Sequence, residues 1–151
     1  MSIKEHIDQD LKQAMLGGDK TLVTTLRGVK SAILYAEVAK GSRDTGLSDE
    51  EAIEVLSKEA KKRQESADLY QQGGNQERAH AELAEKAAIE KYLPAQLSEA
   101  EIKALIEQAI TDVGDASMQN MGRIIGQVKA ASKGAADGAT IARLVKARLQ
   151  S

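Results

Sequence analysis

The sequence predicts an all-α protein: an N-terminal region of four helices followed by a compact C-terminal three-helix bundle. Three observations predict it. Apolar residues recur at spacings of three and four along the chain, and no stretch shows the alternation and turn signals of a half-buried strand. Ser2 with Glu5, Ser48 with Glu51 and Ser98 with Glu101 each place a serine three residues before a glutamate. In that capping box the serine accepts from a free helix amide and the glutamate reaches back to the serine's own N–H. Finally, aromatic residues make up only 2% of the chain, as Tyr35, Tyr70 and Tyr92. The core must then be built from Leu, Ile, Val, Ala and Met, which suits close-packed helices because Ala lets axes approach and Leu fills the gaps.

The elements follow in order. The first helix opens at Ser2, carries Ile3, Ile7, Leu11, Ala14 and Met15 on its apolar stripe, and stops at Gly17-Gly18. Asp19 caps the second, whose stripe takes in Leu22, Leu26, Val29, Ile33 and Leu34, and Lys40-Gly41 to Gly46 reads as a loop. Ser48 opens a long third helix through Ile53, Leu56, Ala60, Ala67 and Tyr70, which Gly73-Gly74 breaks. A fourth runs from Asn75 to Leu93 and ends before Pro94, because proline disfavours helical geometry in the residue before it. Pro94 is the only proline, and it is read as the boundary between an N-terminal helical domain, 1–94, and a C-terminal one, 95–151. The fifth helix follows Ser98 through Ile102, Leu105, Ile106, Ala109, Ile110 and Val113 to Gly114. The sixth holds Met118, Met121, Ile124, Ile125 and Val128; the seventh holds Ile141, Leu144, Val145 and Leu149.

Composition narrows the function. The chain has 151 residues and no cysteine, so neither a disulfide framework nor a thiolate site is available. No apolar run is long enough for a transmembrane helix, and no membrane partner is expected. The N-terminus lacks an apolar signal region, so a cytoplasmic address is expected. His6 and His80 belong to no ligand-spaced motif, and no metal or other cofactor is expected. Lys20-Thr21 lacks the preceding glycine and leading strand of a phosphate loop, and no Gly-x-Ser-x-Gly elbow marks a nucleophile. No catalytic residue is therefore assigned. The formal charge of −2 gives no global attraction to nucleic acid. It is unevenly spread, however. From Asp115 to the end, Arg123, Lys129, Lys133, Arg143, Lys146 and Arg148 face only Asp115 and Asp137. That is either a solvated basic face or the footprint of an anionic partner.

Two segments stand out against the helical background. Gly122 and Gly126 lie four apart within an apolar helical pattern, although each costs about 1 kcal/mol relative to Ala in a helix interior. Such a pair marks close backbone approach, either by a neighbouring helix or by a sugar–phosphate backbone with Arg123 alongside. Shortly after comes Lys133-Gly134-Ala135-Ala136-Asp137-Gly138, a turn whose Asp137 can cap the last helix. On the third helix, Lys61, Lys62 and Arg63 form a candidate basic patch, with Glu59 and Glu65 as counter-charges.

Tyr92-Leu93-Pro94, Met121-Gly122-Arg123, Gly134-Ala135-Ala136-Asp137-Gly138, Lys62-Arg63-Gln64-Glu65-Ser66-Ala67 and Arg27 together resemble the hallmark segments of the YqeY-like family, in order and over nearly the whole chain. In that family the C-terminal half is similar to the tail domain of the B subunit of the glutamine-dependent aminoacyl-tRNA amidotransferase. The resemblance implies a docking domain for the tRNA elbow without the subunit's catalytic cradle; carbon–nitrogen ligase activity with glutamine as amido donor is what similarity to the family alone would add. It implies tRNA as a partner; the bases Arg123, Lys129 and Lys133 and the backbone amides near Gly122 and Gly134 are the candidate contacts. A helical interaction module docking on an amidotransferase or an aminoacyl-tRNA synthetase is the alternative. The chain departs from the family at Ala135, where a basic residue is common; Lys133 stands just before the glycine instead.

Overall fold

The computed structural model describes residues 1–151 and divides into two compact units, Met1–Leu93 and Pro94–Ser151. All regular structure is helical.

The N-terminal unit contains α1 (Ile3–Gly17), α2 (Lys20–Lys40), α3 (Asp49–Gln72) and α4 (Gln76–Glu90). Each begins where a side chain can accept a first-turn amide. Ser2, Asp19, Ser48 and Asn75 accept from Glu5, Leu22, Glu51 and Arg78 respectively, each cap contributing about 1 kcal/mol. Gly18 ends α1 with φ 73°, a left-handed geometry that a side chain would oppose. Ile7, Leu26, Val29, Ile33, Leu56, Ala60 and Ile89 form the core, with Tyr92 and Leu93 packed against it. Further along the α3–α4 hairpin the buried side chains shrink to Ala67 and Ala79.

Three details differ from the sequence reading. Met15 and Leu34, placed on apolar stripes, are 53% and 45% exposed. Leu34 follows Ile33 by 100° around the helix, which carries it past the edge of the buried arc. Third, α4 ends at Glu90 rather than Leu93. The Tyr92 and Leu93 amides bond three residues back, to Ile89 and Glu90, a tightened last turn imposed ahead of Pro94. This turn also lets the Tyr92 hydroxyl donate to Asp10 Oδ2 at 2.5 Å.

The C-terminal unit contains α5 (Glu99–Val113), a single 3-10 turn (Met118–Asn120), α6 (Met121–Ser132) and α7 (Gly138–Leu149). Ile102, Ile106 and Ala109 of α5, Ile124 and Val128 of α6, and Ile141, Leu144 and Val145 of α7 make an aliphatic core. Met118 belongs to the separate 3-10 turn, is 44% exposed, and takes no part in that core.

Candidate nucleic-acid interface

The buried side of α6 is fixed by Ile124, Val128 and Ser132 at intervals of four. That registry turns Gly122, Arg123, Gly126, Lys129 and Lys133 to solvent. The two glycines have nothing within 4 Å of where a Cβ would stand. Helix–helix packing therefore does not explain the pair, and the backbone there is open to a partner.

The charge on this face is unopposed. Arg123, Lys129 and Lys133 enter no salt bridge, and α6 contains no acidic residue. Two of the other C-terminal bases are engaged elsewhere: Arg143 Nη2 meets Glu99 Oε1 at 2.5 Å and Arg148 Nε meets Glu107 Oε1 at 2.5 Å, tying α7 to α5. Arg143 holds the Glu99 carboxyl below its usual range, by hydrogen bond first and by charge second. The α6 N-terminus also differs from the others. Asn120 makes no side-chain cap, whereas Ser98 and Asp137 cap α5 and α7.

The loop after α6 holds its lysine in a defined place. Lys133 has φ 50°, the one non-glycine residue with positive φ, at a cost of about 1 kcal/mol. Gly134 follows with φ 83°. The Ala135 amide donates to Ser132 O at 2.9 Å, and Ala135 O accepts from the Leu97 amide at 2.8 Å. Ala135 itself is buried, so its side chain faces the unit's interior while Lys133 carries the exposed charge. Asp137 caps α7 by accepting from the Thr140 amide. Gly138 has a role invisible in the sequence. A Cβ there would stand 3.0 Å from Lys129 Cε, so the missing side chain leaves room for the lysine to lie across the start of α7.

The α3 bases are placed differently. Arg63 is only 19% exposed, pairs with Glu59 one turn back, and reaches Glu85 Oε2 of α4 at 3.5 Å. Its Nη2 lies 3.7 Å from where a Cβ on Gly28 would stand, beside the exposed Arg27 of α2. Lys62 meets Glu59 at 3.2 Å, and Lys61 is exposed. Lys62 and Arg63 thus converge on Glu59 and Lys61 alone stays unpaired, with Arg63 serving as an internal tie. His6 and His80 are both exposed, on α1 and α4.

Fold and surface together define a small all-helical protein of two units, whose C-terminal unit presents an acid-free cationic helix face. The chain belongs to the YqeY-like family: the family described as Yqey-like protein matches residues 4–149. It is also similar to two proteins named altered inheritance of mitochondria protein 41, mitochondrial. The one from Eremothecium gossypii is 34% identical over 90 residues, 60% of this chain and 48% of that protein. The one from Kluyveromyces lactis is 32% identical over 110 residues, 71% of this chain and 58% of that protein. The chain spans about half the length of these curated relatives. Their names overturn the cytoplasmic address expected from the sequence. That expectation rested on a missing signal region, and the absence of one signal specifies no compartment.

Proposed function

We propose that this protein is a non-catalytic RNA-binding accessory of tRNA metabolism and that it docks RNA on the solvent face of α6. The observation that carries the reading is the conjunction on that face: an open Gly122/Gly126 backbone beside Arg123, Lys129 and Lys133, none of them paired with a carboxylate. Exposed glycines let a sugar–phosphate backbone come within contact of the helix, and three free cations supply the attraction. The uncapped start of α6 leaves first-turn amides without a side-chain acceptor, which suits an anion. All three tyrosines fall outside the C-terminal unit, so this face offers no base-stacking platform. Recognition there rests on phosphates, 2′-hydroxyls and the shape of a folded RNA, which supports tRNA over an unstructured strand.

A salt series of tRNA binding by fluorescence anisotropy tests this. Three engaged cations give a log–log slope of about −2.7. No binding at low ionic strength, or binding without salt dependence, would contradict the proposal.

A further inference from the structure

A second unpartnered helix face is on α2. Leu26, Val29 and Ile33 point into the N-terminal core. The opposite side carries Arg27, Ser31, Leu34, Tyr35 and Val38, all exposed. Tyr35 is 79% and Val38 58% exposed, so three large apolar side chains stand together in water over little more than one helical turn. Scattered single hydrophobes are ordinary on a surface, whereas a contiguous group marks an interaction site.

Charge indicates what covers it. The only acid on α2 is Glu37, which is 1% exposed and tied to Lys4 Nζ at 2.9 Å. Lys30 and Lys40 are paired to Asp8 and Glu51. Arg27 and Lys20 have no ion-pair partner and stand on the same outward face as the apolar group. The outward face of α2 is therefore apolar at one end, cationic at the other and carries no carboxylate of its own, within a unit whose acids outnumber its bases. A second copy of the chain would bring the same acid-free face and leave Arg27 without a counter-charge. An RNA would have to desolvate Leu34 and Val38 against phosphates.

We infer that α2 is a docking face for an acidic amphipathic helix of a partner protein, with Leu34, Tyr35 and Val38 as the apolar contact and Arg27 as the selector of a carboxylate. From Arg27 to Val38 the ridge runs about 16 Å along the axis, and side chains at intervals of three and four suit the ridges of a second helix. The net negative charge of the surrounding unit steers such a helix away from other faces and onto this one.

The test uses the full chain, labelled with nitrogen-15, and two helix-forming probe peptides. They share leucines at i, i+3, i+4 and i+7 and differ in carrying glutamate or lysine elsewhere. The glutamate peptide is expected to shift the amides of residues 27–38 and to bind at least about tenfold more tightly than the lysine peptide. Leu34→Ser with Val38→Ser should abolish binding with unchanged melting, because both side chains are exposed. Arg27→Gln should weaken the glutamate peptide several-fold and leave the lysine peptide unaffected. Equal affinity for both peptides, or shifts confined to other elements, would overturn the proposal. So would shifts on α2 produced only by tRNA, or by self-association on raising the protein concentration.

Discussion

The chain carries two basic segments of similar size, one on α3 and one on α6, and the fold treats them in opposite ways. On α3 the counter-charges are built in: Glu59 sits one turn before Arg63, and α4 brings up Glu85. The guanidinium becomes a strut between helices, close over Gly28. On α6 there is no acidic residue and no ion pair to its bases, the faces of Gly122 and Gly126 are open, and the following loop fixes Lys133 in a left-handed conformation. A basic run in a sequence is therefore not yet a basic surface. What decides is whether carboxylates stand within a turn on the same helix or on its packing neighbour.

The largest effect is expected from replacing Arg123 and Lys133 together by Ala. tRNA affinity should fall by about tenfold or more and the salt slope should drop from about −2.7 to about −0.9, with melting unchanged. Unaltered affinity would remove the α6 site. Next in size is Arg63→Met, which should lower the stability of the N-terminal unit by about 1 kcal/mol, because part-buried Glu85 loses its cation and Glu59 keeps only the exposed Lys62. A urea titration that gives the same midpoint as the parent protein would show the strut to be idle. Lys61→Ala should change neither stability nor affinity measurably, as expected of an exposed charge without a partner.

A smaller, pH-dependent difference sharpens the contrast within the C-terminal unit itself, where Arg143 is engaged and Arg123 is free. Arg143 lowers the Glu99 pKa below the reference value of 4.5. The folded pKa is thus depressed, so the stabilisation is present above the unfolded value and lost as the pH falls through the lower folded one. Arg143→Gln should therefore flatten the stability profile on the acid side of pH 4.5, whereas Arg123→Gln should leave that profile as it is. Urea midpoints between pH 2.5 and pH 6 read the difference.

The part of this fold that was legible in the sequence is the part that physics writes locally. Ser2, Ser48, Ser98 and Asp137 act on amides three residues away, so spacing alone located the starts of α1, α3, α5 and α7. The Arg63–Glu59 pair is likewise an i,i+4 contact. Positions at the rim of an apolar stripe were not legible, because a period of 3.6 leaves them undecided until a neighbour packs. Leu34 and Met15 fell on the solvent side. Glu85 lies 22 residues from Arg63, and nothing local announces that meeting. The Gly122/Gly126 spacing fixed a shared face, but whether another helix covers that face is a tertiary fact. The room that Gly138 leaves for Lys129 is tertiary in the same way.

The central claim is that the α6 glycines serve an approaching partner and not the fold. The affinity of the Gly122→Ala/Gly126→Ala variant for tRNA tests it most directly. A Cβ meets nothing at either position, so alanine should raise helix stability by up to about 1 kcal/mol per site. The added methyls should nevertheless hold the RNA backbone away from the helix and weaken binding by about fivefold, near 1 kcal/mol. A variant that melts higher and binds tRNA as tightly as the parent would contradict the account.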